Sequence, residues 1–203
     1  MNPLLPASEL AEIFSSLLED NSRFVRNAAL QHLGQFISTL GSDSEPVPSI
    51  FIEKFVAMSQ VNTGDETADA EIRLHCAFSF PAVVLAVIEG EGGRSEAVEE
   101  GGSETVEGGW ETLVEAFQIL VRDVMWNVRK TLSCSLHEIA KVLDVKIVER
   151  DLLQVFELFL RDAEEVKVSA IVPTTSYRWN RFFENELTPF APSSQGRSHK
   201  PYF

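Results

Sequence analysis

The chain has 203 residues, 44% of them hydrophobic and 9% aromatic, with a formal net charge of −14. That length is ample for a sizeable buried core, and the composition is too apolar for disorder throughout. The acidic balance argues against a cationic stripe for phosphates, so neither nucleic acid nor an anionic membrane surface is an expected partner. No run approaches 18 apolar residues, so no membrane-spanning helix is expected. Residues 1–6 (MNPLLP) lack the charged and apolar regions of a secretory signal. Two cysteines, Cys76 and Cys134, give no disulfide framework and suit a reducing compartment, the cytoplasm with the nucleus also open.

In chain order, Leu10, Ile13, Phe14, Leu17 and Leu18 recur at spacings of three and four and predict a first amphipathic helix. Phe24, Ala28, Leu30, Leu33, Phe36 and Ile37 predict a second, and Ile72, Cys76, Phe80, Val83 and Val84 a later one. Residues 89–109 carry seven Glu, one Arg and several Gly, and are expected to be a disordered acidic insert. Leu113, Val114, Phe117, Leu120 and Val121 resume the helical period, followed by Leu132, Leu136, Ile139, Ala140 and Leu143. The stretch 147–160 is apolar on most of its circumference, which predicts a helix covered on two sides. From 173 to 203 the period stops, and an irregular tail with four prolines is expected. The fold class is all-α.

Sliding the chain by 103 residues lays 10–40 on 113–143 without a gap. Leu10, Glu12, Phe14, Leu17, Asp20, Val25, Arg26, Leu33 and Leu40 then meet identical residues. Such self-similarity marks a repeat architecture, each unit an apolar helix, a turn opened by Asp, then Val-Arg and a second apolar helix. Ile72-Arg73 and Val166-Lys167 mark further copies, and spacings of 38–47 match the two-helix HEAT or armadillo class. Residues 1–88 are expected to hold two repeats, and 110–172 a third and part of a fourth, in a short right-handed α-solenoid. Asp20 and Asp123 are placed to cap the second helix of their pairs. Arg26, Arg73 and Arg129 can then reach the next unit, giving an Asp/Arg ladder along the array. Arg23, Phe24, Met125 and Trp126 sit at the turns and are candidates for partner contact, since Trp and Arg dominate interface hot spots. The commoner fate of such a Phe or Trp is packing beneath its turn as local core.

No catalytic constellation is recognised. His75-Cys76 and Cys134-x2-His137 fall short of four matched zinc ligands, and no nucleophile elbow, P-loop or H-E-x-x-H occurs. No cofactor and no metal are expected.

The strings DNSRFVRNAALQHLGQFIST (20–39), AEIRLHCAFSFPAV (70–83) and DVMWNVRKTLSCSLHEIAKVL (123–143) resemble the HEAT-repeat regulatory subunits of serine/threonine-protein phosphatase 4 (the regulatory subunit 1 family). The resemblance covers some 130 residues. It implies a noncatalytic regulatory or scaffold subunit that binds a metal-dependent catalytic subunit and directs it toward substrate proteins. Members of that family are much longer, so a short or truncated form is implied, with its fourth repeat stopping at Pro173. A HEAT adaptor for transport or trafficking, or a truncated product with reduced binding, are the competing readings.

Overall fold

The computed structural model describes residues 7–41, 47–92 and 102–171. The chain divides into Met1–Pro173 and Thr174–Phe203, and every described residue belongs to the first unit. The expectations for the 173–203 tail therefore lie outside the described residues.

The described residues form an all-α solenoid of helix pairs. The first pair is α1 (Ala7–Leu18) and α2 (Arg23–Gly41), the second α3 (Ser49–Ser59) and α4 (Glu66–Gly92), the third α5 (Gly102–Val121) and α6 (Trp126–Val142). The fourth begins with α7 (Val145–Ile147), runs through a π-helical turn (Val148–Leu152) into α8 (Leu153–Phe159), and closes with α9 (Glu164–Ile171). The second helices stack in series: α2 packs on α4, α4 on α6, and α6 on α9, while α3 packs on α5. Each repeat thus buries its apolar face against its neighbours, as a solenoid requires.

Aromatic rings run through this core. Phe14 stacks on Phe36 at 4.0 Å, and Phe51 meets Phe36 edge-on at 5.3 Å. Phe80 lies 6.0 Å from Phe55 and 5.7 Å from Phe117, carrying the chain of rings from the second repeat into the third. Trp110 closes it at 5.2 Å from Phe117. Each such pair adds roughly 0.5–1.5 kcal/mol beyond the area it buries. Trp110 is fully buried, and its indole N–H donates to Asp151 Oδ2 at 2.7 Å, a partner that the π-helical turn carries. Between α2 and α4 the backbones approach closely: a Cβ placed on Gly34 would lie 2.1 Å from Ser79 Cβ.

Three expectations change. Residues 89–92 continue α4 and 102–109 open α5, so both ends of the Glu/Gly insert are helical, and 93–101 lie outside the described residues. The physical reason is propagation. Once Trp110 and Ile88 are buried, extending each helix adds a hydrogen bond per residue without a new nucleus. Second, Glu66–Gly90 of α4 is long and apolar enough, by length and composition alone, to cross a membrane. Averaged hydropathy detects what an unbroken apolar run misses. Half of that stretch is buried inside the solenoid, and packing of α4 between α2 and α6 accounts for its apolarity. Third, the N-cap of α6 is Met125, with no side-chain cap. Asp123 Oδ1 instead accepts the Met125 N–H at 2.8 Å, and Asp20 Oδ1 the Ser22 N–H at 2.7 Å, so both acids shape the turn two residues ahead.

Candidate partner-binding ridge

The turns between paired helices carry two layers, a polar ladder below and an apolar ridge above. In the ladder Arg73 and Arg129 each serve two repeats. Arg129 NH1 donates to the carbonyls of Asp123 (2.6 Å) and Val124 (3.3 Å), tying down its own turn. Its Nε and NH2 reach forward to Asp162 at 2.7 and 2.8 Å, a bidentate pair. Arg73 does the same one repeat earlier. NH1 donates to the Val61 carbonyl at 3.3 Å, Nε to Asp123 Oδ2 at 2.6 Å, and NH2 to Glu66 Oε1 at 2.6 Å. Arg26 NH1 donates to the carbonyls of Asp20 (2.6 Å) and Asn21 (3.0 Å).

The electrostatics follow the geometry. Burial alone would lower the Arg73 pKa, but its hydrogen bonds to Asp123 and Glu66 outweigh it and hold the guanidinium charged. The Asp162 carboxyl is held below its usual range, chiefly by the hydrogen bond from Arg129 and against the effect of burial. The ladder acids are thus anchors inside the array, not free groups poised for chemistry.

Above the ladder the turn residues face water. Phe24 is 87% exposed, Val124 78% and Trp126 47%. Arg23 is exposed and Met125 half-buried. Packing beneath the turns is therefore not the fate of Phe24 or Trp126. They stand at the first turns of α2 and α6, Arg23 and Trp126 being the first residues of those helices. Lys130 Nζ lies 5.6 Å from the Trp126 ring centroid and fixes the indole from one side.

Sequence reasoning missed three participants. Asp162 completes the Arg129 rung, and its signal was its place 39 residues after Asp123, close to the 38-residue step from Val128 to Val166. Glu66 shares Arg73 and gave no signal, because the α3–α4 turn departs from the repeat. Val124 joins the ridge too, and its counterpart at the 103-residue offset, the polar Asn21, gave no signal. His137 bonds Glu138 (2.7 Å), Cys76 is buried and Cys134 exposed. Among the described residues no three His, Cys, Asp or Glu side chains gather as metal ligands would.

Fold and turn geometry together define a helical-repeat protein, an α-solenoid of stacked helix pairs. The chain is 31% identical over 125 residues to serine/threonine-protein phosphatase 4 regulatory subunit 1 of Homo sapiens, and equally to the Mus musculus and Rattus norvegicus proteins. The match takes in 62% of this chain but only 11% of each of those curated relatives, a distant and partial relationship to that family. No protein-family model matches the chain.

Proposed function

We propose that the chain is a noncatalytic regulatory or scaffold subunit that acts in the cytoplasm and binds a phosphatase 4-like catalytic subunit through its turn ridge, helping to direct substrate choice. The observation that supports this reading most is the exposure of Phe24 and Trp126, each flanked by a cation, over a ladder that fixes their turns. Large aromatic and cationic groups on a preorganised backbone are what interface hot spots are made of, and rigidity beneath them lowers the entropy lost on docking. The names of the relatives give the direction: they are regulatory subunits, and the reaction would belong to the partner chain.

Affinity purification of the chain from cells, with mass spectrometry of the recovered phosphatase subunits, tests the proposal. Recovery of a catalytic subunit that drops several-fold with Phe24→Ala or Trp126→Ala, at unchanged helicity, is the expected result. Absence of any phosphatase catalytic subunit, or loss of binding only in step with loss of helicity, overturns it.

A further inference from the structure

The ladder lacks one acid. Two of the three arginines pair with the residue that opens the next repeat's turn: Arg73 with Asp123 and Arg129 with Asp162. The second repeat's turn has Val61 at that place. The equivalence is geometric, since the Val61 carbonyl takes NH1 of Arg73 just as the Asp123 carbonyl takes NH1 of Arg129 and the Asp20 carbonyl NH1 of Arg26. An isopropyl group accepts nothing. Among the described residues, Arg26 Nε and NH2 consequently have no carboxylate partner, whereas the same atoms of Arg73 and Arg129 each have one.

Arg26 and Val61 line one open groove of about 290 Å³ between the first two repeats, with Asn27, Leu30, Lys54 and Met58. Its lining includes two cations and no Asp or Glu, in a chain whose net charge is −14. Asn27 apart, the rest of the lining is apolar. A forked guanidinium and an ammonium over an apolar floor complement a carboxylate whose neighbours are aliphatic.

We propose that the gap between Arg26 and Val61 is a docking groove for an Asp or Glu side chain set among aliphatic residues of a partner protein segment. The incoming carboxylate takes the forward rung that Asp162 supplies to Arg129. This site lies below the turn ridge, and its test does not depend on a phosphatase.

The test uses the whole chain and two arrays of synthetic nonapeptides. One has Asp or Glu fixed at the centre among Leu, Ile, Val and Ala; the other has Asn or Gln there instead. Affinity is expected to be at least about tenfold weaker in the second array, the loss of a charge-assisted hydrogen bond. Val61→Asp supplies the missing acid from within, so it is expected to raise Tm by about 2–4 °C and to abolish peptide binding. Equal binding to both arrays, binding to neither, or undiminished binding by a folded Val61→Asp overturns the proposal. Should Val61→Asp not fold, Lys54→Gln decides: a several-fold weaker affinity for the acidic array supports the groove, and an unchanged one overturns it. A preference for phosphoserine at the central position, or a wild-type dimer that Val61→Asp splits, likewise overturns the assignment.

Discussion

Arg73 Nε lies 2.6 Å from Asp123 Oδ2, and the pair crosses from the second repeat to the third with both side chains almost wholly out of water. Removing one partner from such a pair leaves an uncompensated buried charge, which costs more than the intact pair contributes. Asp123→Asn is expected to destabilise the array by about 3 kcal/mol, at the lower end for buried pairs because Glu66 still holds one end of Arg73. Urea unfolding followed by circular dichroism checks it. The exposed pair of Arg150 with Glu111 is the control: Glu111→Gln should leave the midpoint nearly unchanged, because solvent screens that contact. Equal losses from the two substitutions would show that the ladder does not hold the repeats together.

Acid should loosen the junction between the third and fourth repeats. The folded Asp162 carboxyl has a depressed pKa, owed chiefly to the Arg129 hydrogen bond. Its contribution is therefore complete above the unfolded carboxylate value of about 3.9 and is lost as pH falls through the lower folded value. Tm is expected to decline below about pH 4 in the wild type. Asp162→Asn should start lower at neutral pH and decline less steeply in acid. Parallel curves for the two proteins would refute the assignment.

Gly34 is where the second helices come closest. With its hypothetical Cβ only 2.1 Å from Ser79 Cβ, Gly34→Ala must push α2 from α4, although alanine is intrinsically the better helix former. A net loss of about 1–3 kcal/mol is expected, the usual cost of overpacking. Ser79→Gly removes the opposing atom, so the double variant should recover part of that loss. A double-mutant cycle with no coupling would place the strain elsewhere.

The two thiols should separate cleanly by reactivity. Burial pushes the Cys76 thiol far above its ordinary pKa, and its Sγ approaches the Phe55 carbonyl at 3.6 Å inside the core. Cys134 is exposed on α6. Under native conditions a disulfide reagent should titrate one thiol per chain, and a second only in denaturant, since the thiolate is the reacting form and needs access. Two equally fast thiols would mean that α4 is not packed between its neighbours.

What the sequence disclosed of this architecture was whatever obeyed the repeat. Asp123, Val128 and Arg129 could be read because Asp20, Val25 and Arg26 precede them by one fixed offset, and helices follow from the apolar period alone. The α3–α4 turn breaks that register. It contains Gly64 at φ +88 and is closed by Asp69, which accepts both the N–H and the hydroxyl of Thr63 at 2.7 Å. No offset from another repeat could therefore announce that Val61 occupies an acid's place or that Glu66 assists Arg73. The Glu/Gly insert misled for a different reason: intrinsic propensity is a weak prior, and helices anchored by Trp110 and Ile88 extend through residues that would not nucleate one. Exposure of Phe24 and Trp126 was equally unreadable, because a helix's first turn can face its neighbour or water with the same residues.

That exposure makes the ridge separable from the fold. Phe24 buries little in the isolated chain and Trp126 about half of its surface, so Phe24→Ala should leave stability within about 0.5 kcal/mol of wild type and Trp126→Ala within about 1–2 kcal/mol. The Trp126 variant stands at the upper end, since it forfeits the contact with Lys130. Thermal unfolding of the purified variants measures this directly. A loss of more than about 2 kcal/mol would mean that the rings pack in solution and that the ridge is core, as sequence statistics favour for residues of this kind. Near-neutral stability instead leaves binding as the selective reason for two large aromatic groups to stand in water at the openings of α2 and α6.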